Sequence, residues 1–264
     1  MELSTDKMIA RKENGIGWMI FNNPARRNAV SLAMRQAMKE IFEAYQQDDE
    51  VRVLVMMGAG DKAFVSGADI SEFKEKRDNA EAQAEYAQAS AKATDAMEAF
   101  DKPVIAMIRG FCIGGGLATA LGADIRIASS DSQFAIPAAK LGLGYAFEQL
   151  RKLYDTVGPA VASEIMFSGR RLDAERALQV GLINQVVEAD ALETTVIELA
   201  TEIANNAPLT VKASKETIKQ IRKDARARDM EKVEAMITAC FDSADYKEGR
   251  AAFQEKRKPM FTGQ

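Results

Sequence analysis

The sequence predicts an α/β fold, and three observations carry that reading. Short apolar runs of β character alternate with longer segments of helical period. Glycine-rich stretches join a run to a helix, and the runs concentrate before residue 145, where helical periodicity takes over. In chain order, Gly17-Trp18-Met19-Ile20-Phe21-Asn22 reads as a strand that turns through Asn22-Asn23-Pro24. Met34, Ala37, Met38, Ile41 and Tyr45 then recur at three- and four-residue spacing behind Ser31, a predicted N-cap, so an amphipathic helix follows. Residues 51–57 form the next strand and lead through the Gly58-Ala59-Gly60-Asp61 loop into the run 64–70. A charged, alanine-rich helical stretch, read as solvated, then extends to about Phe100.

Residues 103–108 are apolar throughout and bounded by proline and glycine, as in a strand buried on both faces, and 110–121 read as a glycine-rich turn into a helix. Residues 125–128 add a strand. Helices are expected at 147–154, 159–167, 173–179, 191–204 and 208–222, with two more to Lys256 and a short apolar run at 183–187. Neither a low-complexity linker nor a repeat interrupts this order, so one structural unit is expected, with a core over 1–190 and a helical region over 191–264.

Composition then removes whole classes of function. The 264 residues carry 35 Lys+Arg against 39 Asp+Glu, a net charge of −4, so nucleic acid is not an expected partner. There is no histidine, which excludes every Ser-His-Asp or Cys-His nucleophile system and every HExxH zinc site. Cys112 and Cys240 are too far apart for a metal knuckle, no metal site is expected, and a reducing cytoplasmic setting follows. The first residues lack the basic start and apolar run of a signal peptide, and no apolar stretch is long enough to span a bilayer, so a soluble protein without a membrane partner is expected.

Two segments put small residues where a strand gives way to a helix: Ser66-Gly67-Ala68-Asp69-Ile70 and Gly110-Phe111-Cys112-Ile113-Gly114-Gly115-Gly116-Leu117. Each glycine costs a helix about 1 kcal/mol relative to alanine, so the triplet implies close main-chain approach by a ligand or by a neighbouring strand. Free N–H groups at such a junction can hold an oxygen that carries negative charge. Neither a dinucleotide GxGxxG nor a GxxxxGK[ST] phosphate loop can be completed.

These segments, with Asn22-Asn23-Pro24, Asn28-Ala29-Val30, Lys102-Pro103-Val104-Ile105-Ala106, Gly169-Arg170-Arg171-Leu172-Asp173-Ala174, Gly181-Leu182-Ile183 and the terminal Phe253-Gln254-Glu255-Lys256-Arg257-Lys258, occur in the order of one family. The chain resembles the enoyl-CoA hydratase/isomerase, or crotonase, superfamily over nearly its whole length. The resemblance implies a spiral of ββα turns and a homotrimer or dimer of trimers assembled through the C-terminal helices. The substrate would be an acyl-CoA thioester, with coenzyme A entering as part of the substrate and no separate cofactor. By position, the two oxyanion-hole N–H groups fall on Ala68 and Gly115. Adenine contacts fall on the main chain of Ala68, Asp69 and Ile70, and the CoA phosphates near Ala25, Arg26 and Arg27, with Phe253 and Lys256 reaching in from a neighbouring subunit.

The chain also departs from the pattern. The two glutamates that handle water in the family's hydratases are replaced by Ala118 and Ala138, and general acid/base help is worth about 10²–10⁴-fold per group. The segment ending Tyr145-Ala146-Phe147-Glu148 is similar to the malonyl-/methylmalonyl-CoA decarboxylase branch, although that branch carries a histidine in its first oxyanion segment. Loss of CO₂ yields a thioester enolate without a base, so decarboxylation of a malonyl-type thioester is the expected reaction, with Tyr145 orienting the carboxylate or protonating the enolate. Hydration with Glu148 as a displaced base is the alternative, and a non-catalytic acyl-CoA-binding subunit is a further one.

Overall fold

The computed structural model describes residues 1, 3–69 and 80–264, the side chains of 80–84 excepted. Strands β1 (Met8–Glu13) and β2 (Ile16–Phe21) form an antiparallel hairpin about Asn14-Gly15, both at positive φ. That dipeptide is the local signal for a two-residue hairpin loop. The sequence reading starts at β2 and misses β1, because Met8–Glu13 is an edge strand that buries little and reads as charged surface. Helix α1 (Leu32–Gln47) follows as expected: the Ser31 hydroxyl accepts the Met34 N–H at 3.2 Å, and Met34, Ala37, Met38, Ile41, Phe42 and Tyr45 are buried.

From here the chain winds. Strand β3 (Val53–Gly58) is followed by β4 (Ala63–Val65) and helix α2 (Ala80–Ala99). The next turn supplies β5 (Val104–Ile108), β6 (Phe111–Ile113) and α3 (Gly115–Ala120), and a third supplies β7 (Ile125–Ser129), β8 (Gln133–Ala135) and α4 (Ala138–Leu141). The first strand of each turn joins a six-stranded sheet in the order β1-β2-β3-β5-β7-β10, closed by β10 (Gln185–Val187), and the second joins a four-stranded sheet in the order β4-β6-β8-β9, closed by β9 (Leu172–Asp173). This is the ββα spiral that the resemblance implies. Two expectations are corrected here. Residues 110–121 are not a single turn into a helix, because β6 intervenes, and α2 is not wholly solvated, because its Ala93 and Met97 are buried and the helix packs on α1. Ile70 lies outside the described residues.

After the spiral come α5 (Phe147–Ser168), β9 (Leu172–Asp173), α6 (Ala174–Gln179), β10 (Gln185–Val187) and helices α7 (Leu192–Ala204), α8 (Pro208–Ile221), α9 (Met230–Asp242) and α10 (Ala244–Glu255). Helix α5 breaks at Gly158 (φ 75°, ψ 170°), just before Pro159, where the sequence separates two helices. The short pieces β6, β8 and β9 were not anticipated as strands.

The large sheet buries both faces, which is why its strands read as continuous apolar runs. Leu54, Met56, Val104, Ala106 and Ile108 face the main core with α1, whereas their neighbours Val53, Val55, Ile105 and Met107 face Leu192, Val196 and Ala200 of α7. Among the described residues no helix is long and apolar enough to cross a membrane.

Candidate active site

The first wall of the site is built from the loop after β2. Asn28, fully buried at φ +56°, donates through Nδ2 to the Ala59 and Ala63 carbonyls at 3.0 and 2.7 Å, while its Oδ1 accepts the Asn23 N–H at 3.0 Å. This amide ties residues 23–30 to the β3–β4 connection. Val30 then donates its N–H to Gly67 O at 2.9 Å and accepts the Asp69 N–H at 3.0 Å, a bridge that pairs Val30 with Ala68. Alternate groups of an extended chain point to opposite sides, so the N–H of Ala68 is turned away from residue 30. The Arg26 guanidinium reaches the buried Asp69 carboxylate at 3.4 Å and so brings the exposed Ala25, Arg26 and Arg27 against this segment.

The second wall comes from the next turn of the spiral. Gly114 donates to Ala135 O at 2.7 Å and accepts from Ala118 N–H at 3.0 Å, which leaves Gly115 in the first turn of α3, where an N–H has no intrahelical acceptor. Gly116 is held against β4 so closely that a Cβ there would stand 2.0 Å from Val65 O. The glycine triplet therefore serves close packing of helix on sheet as well as exposing an N–H. A Cβ on Gly115 would lie 3.9 Å from Ala68 N, so the two N–H groups are neighbours. Among the described residues neither has an acceptor within the protein.

Ala68 and Gly115 open onto a cavity of about 680 Å³ lined also by Arg35, Met38, Ala93, Met97, Ala118, Ile136, Ala138, Leu143, Tyr145, Glu148 and Lys152. Ala68, Gly115 and Ala138 follow β4, β6 and β8, three adjacent parallel strands, and a ligand in an α/β fold sits at such carboxyl ends. The interior is mostly apolar. Tyr145 packs on the core with its hydroxyl buried and unpartnered, and burial pushes the phenol up to about 12, against the pull of Arg35. At neutral pH it is therefore a donor and not a base. Glu148 stands exposed in the first turn of α5 and is the one carboxylate among the described lining residues. Lys152 is paired with Glu98 at 2.7 Å. Cys112 is buried on β6, and burial pushes its thiol up, so it is no nucleophile.

Of the residues singled out in the sequence, Ala68, Gly115, Tyr145 and Glu148 come together around one cavity. Phe253 and Lys256 do not join them within one chain. Phe253, 86% exposed, lines a separate apolar cavity of about 860 Å³ among α8, α9 and α10, and Lys256 is an exposed left-handed residue at the end of α10. The sequence reading missed Arg35. Its signal is an arginine at the margin of the apolar face of α1, one residue after Met34 and three before Met38. Among the described residues no group of three or more Cys, Asp or Glu is placed to hold a metal ion.

The enoyl-CoA hydratase/isomerase family profile matches residues 11–264. The chain belongs to this family. The short-chain-enoyl-CoA hydratase of Clostridium acetobutylicum is 36% identical over 259 residues, covering 98% of this chain and 97% of its own. The crotonyl-CoA hydratase of Syntrophomonas wolfei is 33% identical over 98% of this chain and 99% of its own. Among solved structures, an enoyl-CoA hydratase/carnithine racemase from Magnetospirillum magneticum matches with a TM-score of 0.91 at 38% identity, over 99% of this chain and 97% of that one. The family resemblance and the spiral fold read from the sequence are thereby borne out. The expected carboxy-lyase chemistry gains no support from these relatives, two of which are hydratases by name.

Proposed function

We propose that this protein is an acyl-CoA hydro-lyase that interconverts an enoyl-CoA and its hydrated form through a thioester enolate. The observation that carries the reading is the pair of main-chain N–H groups, Ala68 and Gly115, without acceptors among the described residues and facing a mostly apolar cavity from adjacent turns of the spiral. Both would donate to the thioester oxygen and hold it more strongly as it gains charge, which is differential stabilisation of the transition state. As the water oxygen bonds to C3, the electron pair of the C2–C3 double bond shifts between C2 and C1 and the carbonyl pair moves onto the thioester oxygen, while Glu148 takes one water proton and the other stays on the new hydroxyl. Returning the proton to C2 completes the addition. Glu148 has this role because Ala118 and Ala138, at the family's glutamate positions, line the cavity with methyl groups.

In this reading the main chain of Ala68 and Asp69 and the Ala25–Arg27 loop hold the CoA moiety. Phe253 and Lys256 come from a neighbouring subunit, and the helices after residue 190 assemble a trimer or a dimer of trimers. Crotonyl-CoA hydration, followed at the loss of enoyl absorbance, tests the chemistry. Wild type turns over, and Glu148→Gln loses about 10²–10⁴-fold in kcat, the worth of a general base. A fully active Glu148→Gln would remove Glu148 from the mechanism.

One observation favours a second reading, in which a malonyl-type thioester is decarboxylated. With methyl groups at 118 and 138, no carboxylate among the described residues stands there to repel a substrate carboxylate. Release of CO₂ from malonyl- or methylmalonyl-CoA faster than hydration of crotonyl-CoA, slowed selectively by Tyr145→Phe, would select it.

A further inference from the structure

We propose that Arg35 and Tyr145 form a subsite for a carboxylate carried on the acyl group, so that the preferred ligand is a short carboxyacyl-CoA and not a neutral one. The inference rests on the reading that the cavity binds acyl-CoA. The guanidinium of Arg35 lines the cavity with its Nη2 3.4 Å from where a Cβ on Gly115 would stand, beside the two main-chain donors. Its Nε is buried without a partner, and Nη1 has only the Met38 thioether at 3.9 Å. Among the described residues it makes no ion pair.

Arg35 is half-buried, with its Nε out of water and its outer nitrogens turned to the cavity, so an anion that enters this space gains a charged fork with unused donors. The Tyr145 hydroxyl, like that of Ser90, is buried in the lining of this cavity without a partner among the described residues, and Arg35 is close enough to act on its titration. A planar fork and a phenol are suited to the two oxygens of one carboxylate. Among the described lining residues the other charges are Lys152, paired with Glu98 at 2.7 Å, and Glu148, exposed in the first turn of α5. Where the family resemblance puts two glutamates, the described lining has two methyl groups, and Arg35 brings a positive charge beside the main-chain donors. Because Arg35 stands next to Gly115, the carboxylate it meets lies close to the thioester carbon, as in malonyl- or succinyl-CoA.

Isothermal titration of the full-length protein with pairs of equal carbon number tests this: succinyl-CoA against butyryl-CoA and malonyl-CoA against propionyl-CoA. For at least one pair, wild type binds the carboxyacyl member about 10-fold tighter or more, the scale of a charge-assisted contact. Arg35→Met brings that ratio to about one while leaving the neutral ligand within about twofold, Arg35→Lys keeps part of the preference, and Tyr145→Phe lowers it several-fold. A wild-type ratio of one for both pairs overturns the proposal. So does an Arg35→Met that weakens both members equally, which would assign Arg35 to the thioester or the fold. Should Arg35→Met fail to fold, the wild-type ratios and Arg35→Lys still decide. Absence of binding by all four ligands would instead overturn the acyl-CoA reading, and this inference with it.

Discussion

Gly116→Ala puts the construction of the oxyanion donors to a direct test. The added methyl would lie 2.0 Å from Val65 O and 2.9 Å from Val65 Cβ, where ordinary contact begins near 3.4 Å. No rotamer relieves this, because the obstacle is a main-chain carbonyl of β4, so α3 must move off the strand by more than an ångström. Overpacking of this kind costs about 1–3 kcal/mol, here toward the upper end, and the better helix propensity of alanine returns about 1 kcal/mol, for a net loss of about 2 kcal/mol. At roughly 2–4 °C per kcal/mol for a chain of this size, Tm falls by about 4–8 °C. Activity falls further, because the shift carries the Gly115 N–H away from Ala68, and one lost oxyanion donor costs about 10²–10³ in kcat. Gly115→Ala is the stability control. Its methyl meets the flexible end of Arg35 at 3.4 Å and, in ordinary contact, Ala68 N and Gly67 Cα at 3.9 Å, so its Tm stays near wild type. Thermal melts and turnover measured on the same preparations decide the matter, and a Gly116→Ala protein with wild-type Tm and kcat would refute the argument.

Other outcomes follow from the same structure. Lys256→Ala weakens CoA affinity and flattens its salt dependence with the fold intact; unchanged titration curves at low ionic strength would take Lys256 out of the site. Sedimentation equilibrium gives a trimer or hexamer, since Phe241, Tyr246 and Phe253 are exposed on the C-terminal helices, and a stable monomer at micromolar concentration would contradict this. The Arg257 guanidinium, 2.8 Å from Glu248, and the Met260 N–H, also at 2.8 Å, hold the Glu248 carboxyl down to about 2. A folded value below the ordinary 4.5 means that this clamp is complete above about pH 4.5 and is lost as the pH falls toward 2. Amide protection factors in residues 257–264, referred to the intrinsic exchange rate at each pH, therefore fall across that window before those of the core, and protection that is flat with pH would remove the clamp.

The elements that bury one clear face were legible in the sequence. Helix α1 announces itself by Ser31 and the spacing of Met34, Met38, Ile41 and Tyr45, and β3 and β5 by unbroken apolar runs. The three-residue strands β6 and β8 were not, because their pairing partners lie in other turns of the spiral and a window that short holds no period. The site divides in the same way. Ala68 and Gly115 were found through glycine-rich junctions and the family pattern, which report main-chain geometry. Arg35 was missed because on a helix an arginine next to buried methionines reads as surface, and only the fold shows that its guanidinium turns inward to Gly115.

Ala68 and Gly115 leave neighbouring parallel strands at the same end, so the spacing between their N–H groups is inherited from the sheet ladder and not from any side chain. Side chains around the cavity, such as Ala118 and Ala138, can then be exchanged without disturbing the spacing of these two donors. In the proposed mechanism the electrophilic half of the chemistry is carried by architecture and the proton-handling half by replaceable parts. A descendant of this chain would change its reaction by substitutions on the cavity floor, and would lose reactivity altogether only when the two strands came apart.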